Sequence, residues 1–232
     1  MIGRVSEIFV SVQGEGIYAG TPMVFVRFAG CNLNCDYCDT PESRLAVYGK
    51  VYTADEIKET VEKELEENKT VSLISFTGGE PLLQPEIISQ VISHFRDSRI
   101  KTYLDTNGTL PEKFSTIADI IDYVAMDIKL PSACGIELWQ VYSKFLKLAK
   151  GCVFVKIVIT AKSTFDEFQK AVELISNVDT SIPLVIQPVT PIREIGSMPF
   201  KQIQVLKNYA EQKGGIENVS IVSQIHKKIG IR

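Results

Sequence analysis

The 232-residue sequence is poor in several features that would mark other classes of protein. No apolar run approaches the roughly 20 residues of a membrane-spanning helix, so a helical membrane protein is excluded and no membrane partner is expected. The opening stretch, Met1-Ile-Gly-Arg-Val-Ser-Glu7, lacks the apolar core and small-residue cleavage site of a secretory leader, and a cytoplasmic location is expected. Net charge is only −3, from 25 Lys and Arg against 28 Asp and Glu, which leaves no electrostatic footprint for nucleic acid. Internal repeats and low-complexity segments are absent, so solenoid and disordered architectures drop out. There are two histidines, His94 and His226; His94 falls in a helical stretch and reads as a surface or satisfied histidine. What remains is ordinary for a globular chain, with 45% hydrophobic and 23% charged residues. The length suits one large domain over 1–232.

Five cysteines in such a chain argue for metal or catalysis over disulfides. Cys134 and Cys152 are isolated and read as buried free thiols. The other three fall in Cys31-Asn-Leu-Asn-Cys35-Asp-Tyr-Cys38-Asp-Thr40, with no fourth cysteine nearby in sequence. A structural zinc site closes with four protein ligands. A cubane iron–sulfur cluster held by three thiolates keeps one iron open to bind a small molecule. A zinc knot completed by a distant residue is the alternative.

Along the chain, residues 5–13 read as a strand, ended by the turn Gly14-Glu15-Gly16. Residues 22–29 read as the next strand, with Arg27 inside an apolar run. Arg27 is read either as a solvent-facing edge residue or as an anion-binding one. A polar segment follows the cysteines to about Tyr52, and Thr53 with Glu56 forms a capping box for a helix over 54–68. Further strands are predicted at 71–76, 100–104, 120–126, 153–159, 184–186 and 218–222. Helices are predicted at 85–97, 111–118, 136–149, 164–177 and 200–212. This alternation predicts a parallel sheet with right-handed crossovers and outer helices. Polar signals fall at successive strand ends: Gln13, Cys31, Thr77, Asp105, Asp127 and Gln187. In a parallel barrel such ends share one rim, where active sites form. Six or seven strands suggest an incomplete TIM-like barrel, since a closed one takes about 250 residues.

Thr77-Gly-Gly-Glu-Pro81 after a strand reads either as a helix start or as a loop that holds an ammonium group. Together, the C-x3-C-x2-C loop and this motif resemble the radical S-adenosylmethionine (SAM) superfamily. Gln13-Gly-Glu-Gly16, Arg27-Phe-Ala-Gly-Cys-Asn-Leu33, Tyr37-Cys-Asp-Thr40, Asp105-Thr-Asn-Gly108, Gln187-Pro188 and Gln224-Ile-His-Lys227 follow in order. That set is similar to the 7-carboxy-7-deazaguanine synthase family of 7-deazapurine (queuosine) biosynthesis.

The resemblance implies that Cys31, Cys35 and Cys38 hold a [4Fe–4S] cluster whose open iron takes SAM. It implies SAM contacts by Tyr37, Cys38, Asp39, Gly78, Gly79, Glu80, Asp127, Ile128, Lys129 and Gln187. Asp127 departs from the family, where Ser is frequent. Substrate contacts are implied for Val12, Gln13, Gly14, Glu15, Arg27, Thr77, His226 and the main-chain carboxylate of Arg232. Thr40 is implied as a Mg2+ ligand; from the residues alone its hydroxyl reads as a turn cap. The implied reaction converts 6-carboxy-5,6,7,8-tetrahydropterin to 7-carboxy-7-deazaguanine with loss of ammonia. The implied partners are an electron donor such as flavodoxin or ferredoxin and a second copy of the chain in a homodimer. The competing readings are an activase that makes a glycyl radical on another protein, and a non-catalytic iron–sulfur or zinc module. The activase would not need Gln13-Gly-Glu-Gly16 or Thr40, and the non-catalytic module has no use for a full rim of polar strand ends that includes Gly-Gly-Glu-Pro.

Overall fold

The computed structural model describes all residues except 150–152, 226, 228–229 and 231–232. The strands are β1 (Ile2–Val12), β2 (Pro22–Phe28), β3 (Lys50–Thr53), β4 (Leu73–Gly78), β5 (Lys101–Thr106), β6 (Tyr123–Asp127), β7 (Val153–Ile159), β8 (Leu184–Pro188) and β9 (Val219–Ile221). The helices are α1 (Ala54–Glu67), α2 (Pro85–Phe95), α3 (Pro111–Phe114), α4 (Pro131–Cys134), α5 (Trp139–Leu148), α6 (Phe165–Ser176) and α7 (Phe200–Gln212). Among the described residues the nine strands form one open sheet in the order β3-β1-β2-β4-β5-β6-β7-β8-β9. From β2 through β4 to β9 every pairing is parallel. β1 joins β2 antiparallel, and β3 joins β1 antiparallel. The architecture is α/β, a partial TIM-like barrel left open between β3 and β9. Among the described residues no helix is long and apolar enough to cross a membrane.

The helices form where the sequence pattern places them. Thr53 accepts from Glu56 N, and the Glu56 carboxylate returns to Thr53 N, so the predicted capping box starts α1. Thr164 and Glu167 repeat the device at α6. Along α2, Ile87, Ile88, Val91, Ile92 and Phe95 are all buried, a stripe at helical spacing. Each such side chain contributes about 1.5–3 kcal/mol on burial. These stripes and the outward residues of the sheet make the main core. A second, smaller core lies inside the barrel, with Met23, Phe25, Leu73, Tyr103, Ala125, Phe154 and Val185.

Several boundaries differ from expectation for physical reasons. The polar segment before Tyr52 contains β3, a four-residue edge strand with no alternating apolar face. It forms because Ile2 to Val5 pair with it, which also starts β1 three residues early. Only Pro111–Phe114 of the 111–118 helix is helical, and β6 begins at Tyr123. Ile120 and Ile121 pack on the core from turns instead. The helix expected from 136 begins at Trp139, and α4 precedes it as a separate turn. Cys134 is half-buried, not buried, and Cys152 lies outside the described residues.

One correction changes the site. Val12 pairs with Pro22, so β1 ends beside the beginning of β2. Gln13 is therefore not on the rim made by the C-terminal strand ends. The loop it opens carries Tyr18 against Tyr103, Tyr123 and Phe154, near the N-terminal ends of β5, β6 and β7. Residues 13–15 thus enter the barrel from the side opposite the rim.

Candidate active site

Inward positions follow the period-two alternation of the strands. Near the bottom they are apolar, as in the inner core. One step higher they turn polar: Arg27, Thr77, Asp105, Asp127, Lys156 and Gln187 all line one cavity of about 480 Å³. The cysteine loop covers its top, with Cys31, Cys35, Cys38, Asp39 and Thr40 on its wall, and Val12, Gln13, Gly14 and Glu15 line it from the opposite side.

The loop after β4 is fastened to the loop after β2. Gly79 N donates to Phe28 O at 3.0 Å and Glu80 N to Gly30 O at 2.8 Å. Gly78 takes φ +128°, and a Cβ there would lie 2.1 Å from Phe28 O. A Cβ at Gly79 would lie 2.2 Å from Gly30 O and 2.7 Å from Ser43 O. These glycines thus permit backbone-to-backbone packing beside Cys31, more than the approach of a ligand. The cysteine loop closes on itself through Gly30 N to Ser43 O at 2.8 Å and Cys31 N to Arg44 O at 2.9 Å.

Glu80 corrects an expectation. It is 0% exposed and does not line the cavity. Its carboxylate accepts from Leu82 N at 3.0 Å, Thr106 Oγ1 at 2.8 Å and Asn107 N at 2.8 Å, tying the β4 loop to the β5 loop. Burial pushes its pKa up to about 7, against the opposing pull of these three donors. Ile128 is likewise fully buried in the outer core, away from the cavity.

The cavity holds a chain of paired charges. Lys129 Nζ donates to Asp127 Oδ2 at 2.7 Å, and Lys156 Nζ reaches the same oxygen at 3.1 Å and also donates to Glu15. Gln224 Nε2 donates to Glu15 Oε1 at 2.6 Å. Burial alone would lower the Lys156 pKa, but Asp127 and Glu15 hold it well above its usual value. Burial raises Asp105, with Lys156 opposing. Among the described residues, three buried acceptors on the cavity wall are left without partners, Asp127 Oδ1, Gln187 Oε1 and Gln224 Oε1. Buried acceptors of this kind suit the ammonium and hydroxyl groups of a ligand.

Arg27 lies on β2, an interior strand, and faces the cavity. Its Nε donates to Glu7 Oε1 at 2.8 Å, and its guanidinium sits 5.4 Å from the Phe9 ring centroid. Those contacts leave the outer edge of the guanidinium for an anion. Lys129 Nζ stands 5.2 Å from the Tyr37 ring centroid. Thr40 precedes a short turn but its side chain makes no cap bond; only its carbonyl accepts, from Ser43 N and Ser43 Oγ. The hydroxyl-cap reading is therefore wrong here.

The three thiols suit a cluster more than a single ion. Burial raises Cys31, and raises Cys35 to about 11 with Lys129 opposing. Thiols so placed ionise when a metal supplies positive charge. Among the described residues no three His, Cys, Asp or Glu side chains converge on one point. In a cubane each thiolate meets a different iron, so convergence is not required.

Of the residues singled out from sequence, Thr77, Tyr37, Gly78, Gly79, Lys129 and Gln187 also line the cavity. His226 and Arg232 lie outside the described residues. Sequence reasoning missed Lys156, Glu7 and Phe9. Inward parity on β7 marks Lys156, and the pairing of Glu7 with Arg27 across β1 and β2 marks Glu7.

A model of the Radical SAM superfamily matches residues 25–195. The chain is 33% identical over 246 residues to a 7-carboxy-7-deazaguanine synthase of Geobacter sulfurreducens, covering 98% of this chain and 97% of that protein. It is 35% identical over 243 residues to one of Archaeoglobus fulgidus, covering all of both. The fold matches the crystal structure of QueE from Escherichia coli with a TM-score of 0.67 at 17% identity, over 97% of this chain and 95% of that one.

Proposed function

We propose, for a chain that belongs to the radical SAM superfamily and within it to the 7-carboxy-7-deazaguanine synthases, the conversion of 6-carboxy-5,6,7,8-tetrahydropterin to 7-carboxy-7-deazaguanine with loss of ammonia. Membership makes it a radical SAM enzyme of 7-deazapurine synthesis and implies SAM and a [4Fe–4S] cluster. The observation that carries the finer reading is the single cavity on which the three thiols, the Gly78–Gly79 loop, Arg27 and the unpartnered Asp127 and Gln187 acceptors all open.

Cys31, Cys35 and Cys38 would hold the cluster. When bound, the cluster and SAM would supply the radical chemistry that the reaction at C6 of the pterin needs. Gly78, Gly79, Tyr37, Cys38, Asp39, Asp127, Lys129 and Gln187 form the SAM wall. Arg27, steadied by Glu7 and Phe9, neutralises the substrate carboxylate. Val12, Gln13, Gly14, Glu15 and Thr77 pair with the polar edge of the pterin, and Asp105 faces it from β5. Thr40, with its hydroxyl free of the turn, would help to hold Mg2+. His226 and Arg232 belong to the substrate side of this reading. The whole chain, 1–232, acts as one unit in a cytoplasmic homodimer, reduced by a flavodoxin or ferredoxin.

The test is anaerobic reconstitution followed by incubation with SAM, reductant, Mg2+ and the carboxypterin. Roughly four irons per chain, a broad charge-transfer band, 5′-deoxyadenosine and the deazaguanine are expected. Deoxyadenosine with untouched pterin contradicts the substrate assignment, and a colourless protein holding one zinc contradicts the radical chemistry.

A further inference from the structure

β7 is buried along its whole length, and Lys156 is its one polar residue, with a side chain 6% exposed among Val153, Phe154, Val155 and Ile157. A buried ammonium persists only when it is paired. Lys156 makes two direct ion pairs, whose carboxylates come from different sides of the cavity, and Asp105 is a third, more distant counter-charge. Glu15 arrives on the loop after β1, from the end opposite the rim; Asp127 ends β6 at the rim, 3.1 Å from Nζ. Each carboxylate is braced from behind, Glu15 by Gln224 at 2.6 Å and Asp127 by Lys129 at 2.7 Å. An unbroken line of bonds therefore crosses the cavity from Gln224 to Lys129. Asp127 keeps its other oxygen, Oδ1, buried and without a partner.

We infer that Lys156 is a positioning residue that couples the substrate side of the cavity to the SAM side, so that filling either one tightens the other. The inference rests on the assignment of Glu15 to substrate and of Asp127 and Lys129 to SAM made above. The two carboxylates share one ammonium, so the position of each depends on the other. A ligand that holds one of them holds Lys156 in turn, and Lys156 then fixes the other carboxylate. The second ligand meets a site whose arrangement has been set by the first. Coupling of this kind is reciprocal and typically amounts to about 5–150-fold in affinity. It also makes chemical sense, because a radical formed without substrate in place would attack the protein.

The experiment is calorimetric titration of SAM into anaerobically reconstituted, unreduced protein, with and without saturating carboxypterin, so that no turnover occurs. In the native protein the carboxypterin is expected to tighten SAM binding at least about fivefold. In K156M the tightening falls below about twofold, with iron content unchanged. K156M takes from Glu15, Asp127 and Asp105 the cation they face and can fail to fold, so the charge-balanced E15Q/K156M is measured beside it, with the same expectation. Native-sized coupling in either variant overturns the inference. Native protein that binds both ligands independently also overturns it, while leaving the proposed function standing. Native protein that takes SAM but no carboxypterin overturns the proposed function, and the inference falls with it.

Discussion

Replacing Glu80 separates a loop anchor from a ligand contact. The carboxylate is 0% exposed and accepts three hydrogen bonds, from Leu82 N, Thr106 Oγ1 and Asn107 N, at 3.0, 2.8 and 2.8 Å. E80Q keeps one acceptor oxygen but turns an amide N–H against a neighbouring donor. A hydrogen bond to a charged group contributes about 1.5–3 kcal/mol, so E80Q is predicted to destabilise by about 2 kcal/mol. E80A strands two backbone N–H groups and a hydroxyl, at about 1–3 kcal/mol each, and about 4 kcal/mol is expected in all. For a chain of this length each kcal/mol moves Tm by about 2–4 °C, which gives falls of about 4–8 °C for E80Q and about 8–16 °C for E80A. The assay is thermal unfolding at pH 8 in the absence of SAM. Unchanged Tm without SAM, combined with lost SAM affinity, would refute the anchor role and return Glu80 to the ligand.

The same residue fixes a sign with pH. Its native pKa of about 7 lies above the unfolded value of about 4.3. The native state therefore holds the proton more tightly, and that contribution is complete below the unfolded value and lost as pH rises through about 7. The stability of the native protein relative to E80Q, which cannot titrate here, is predicted to decline between about pH 4 and pH 7 and to level off above.

The other predictions concern the loops around the cavity. T40A should lose most of its response to Mg2+ in the product assay while taking up native amounts of iron; an unchanged Mg2+ response removes Thr40 from the metal. G79A puts a Cβ 2.2 Å from Gly30 O, so it should lower Tm even without SAM and impair iron uptake at the adjacent Cys31. A G79A protein with native Tm and iron content contradicts the packing role. Arg193 has φ +53° at the tip of the turn bridged by Ile192 and Ile195, a strained value for a side-chain-bearing residue. R193G should stabilise the protein by about 1 kcal/mol, visible as a Tm rise of a few degrees; a fall in Tm counts against strain there.

The parts legible in the sequence were those with local causes. The cysteine spacing, the capping box at Thr53, the apolar stripe of α2 and the polar ends of the parallel strands all depend on residues within a few positions of one another. What escaped depended on partners distant in sequence. Gln13 looked like a rim residue because nothing in β1 itself reveals that it pairs antiparallel with β2. β3 has no pattern of its own and exists because Ile2 to Val5 need a partner. Glu80 looked like a ligand group because its three donors include Thr106 and Asn107, more than 25 residues downstream. Lys156 hid in an apolar run, where a single cation gives no signal until Glu15 and Asp127 are brought to it.

The most direct measurement follows deuterium from substrate to cofactor product. Anaerobically reconstituted protein is given SAM, reductant, Mg2+ and 6-carboxytetrahydropterin carrying deuterium at C6, and the products are read by mass spectrometry. 7-Carboxy-7-deazaguanine is expected together with 5′-deoxyadenosine that has gained the label. Deoxyadenosine without deuterium, and carboxypterin recovered intact, would contradict the proposed reaction.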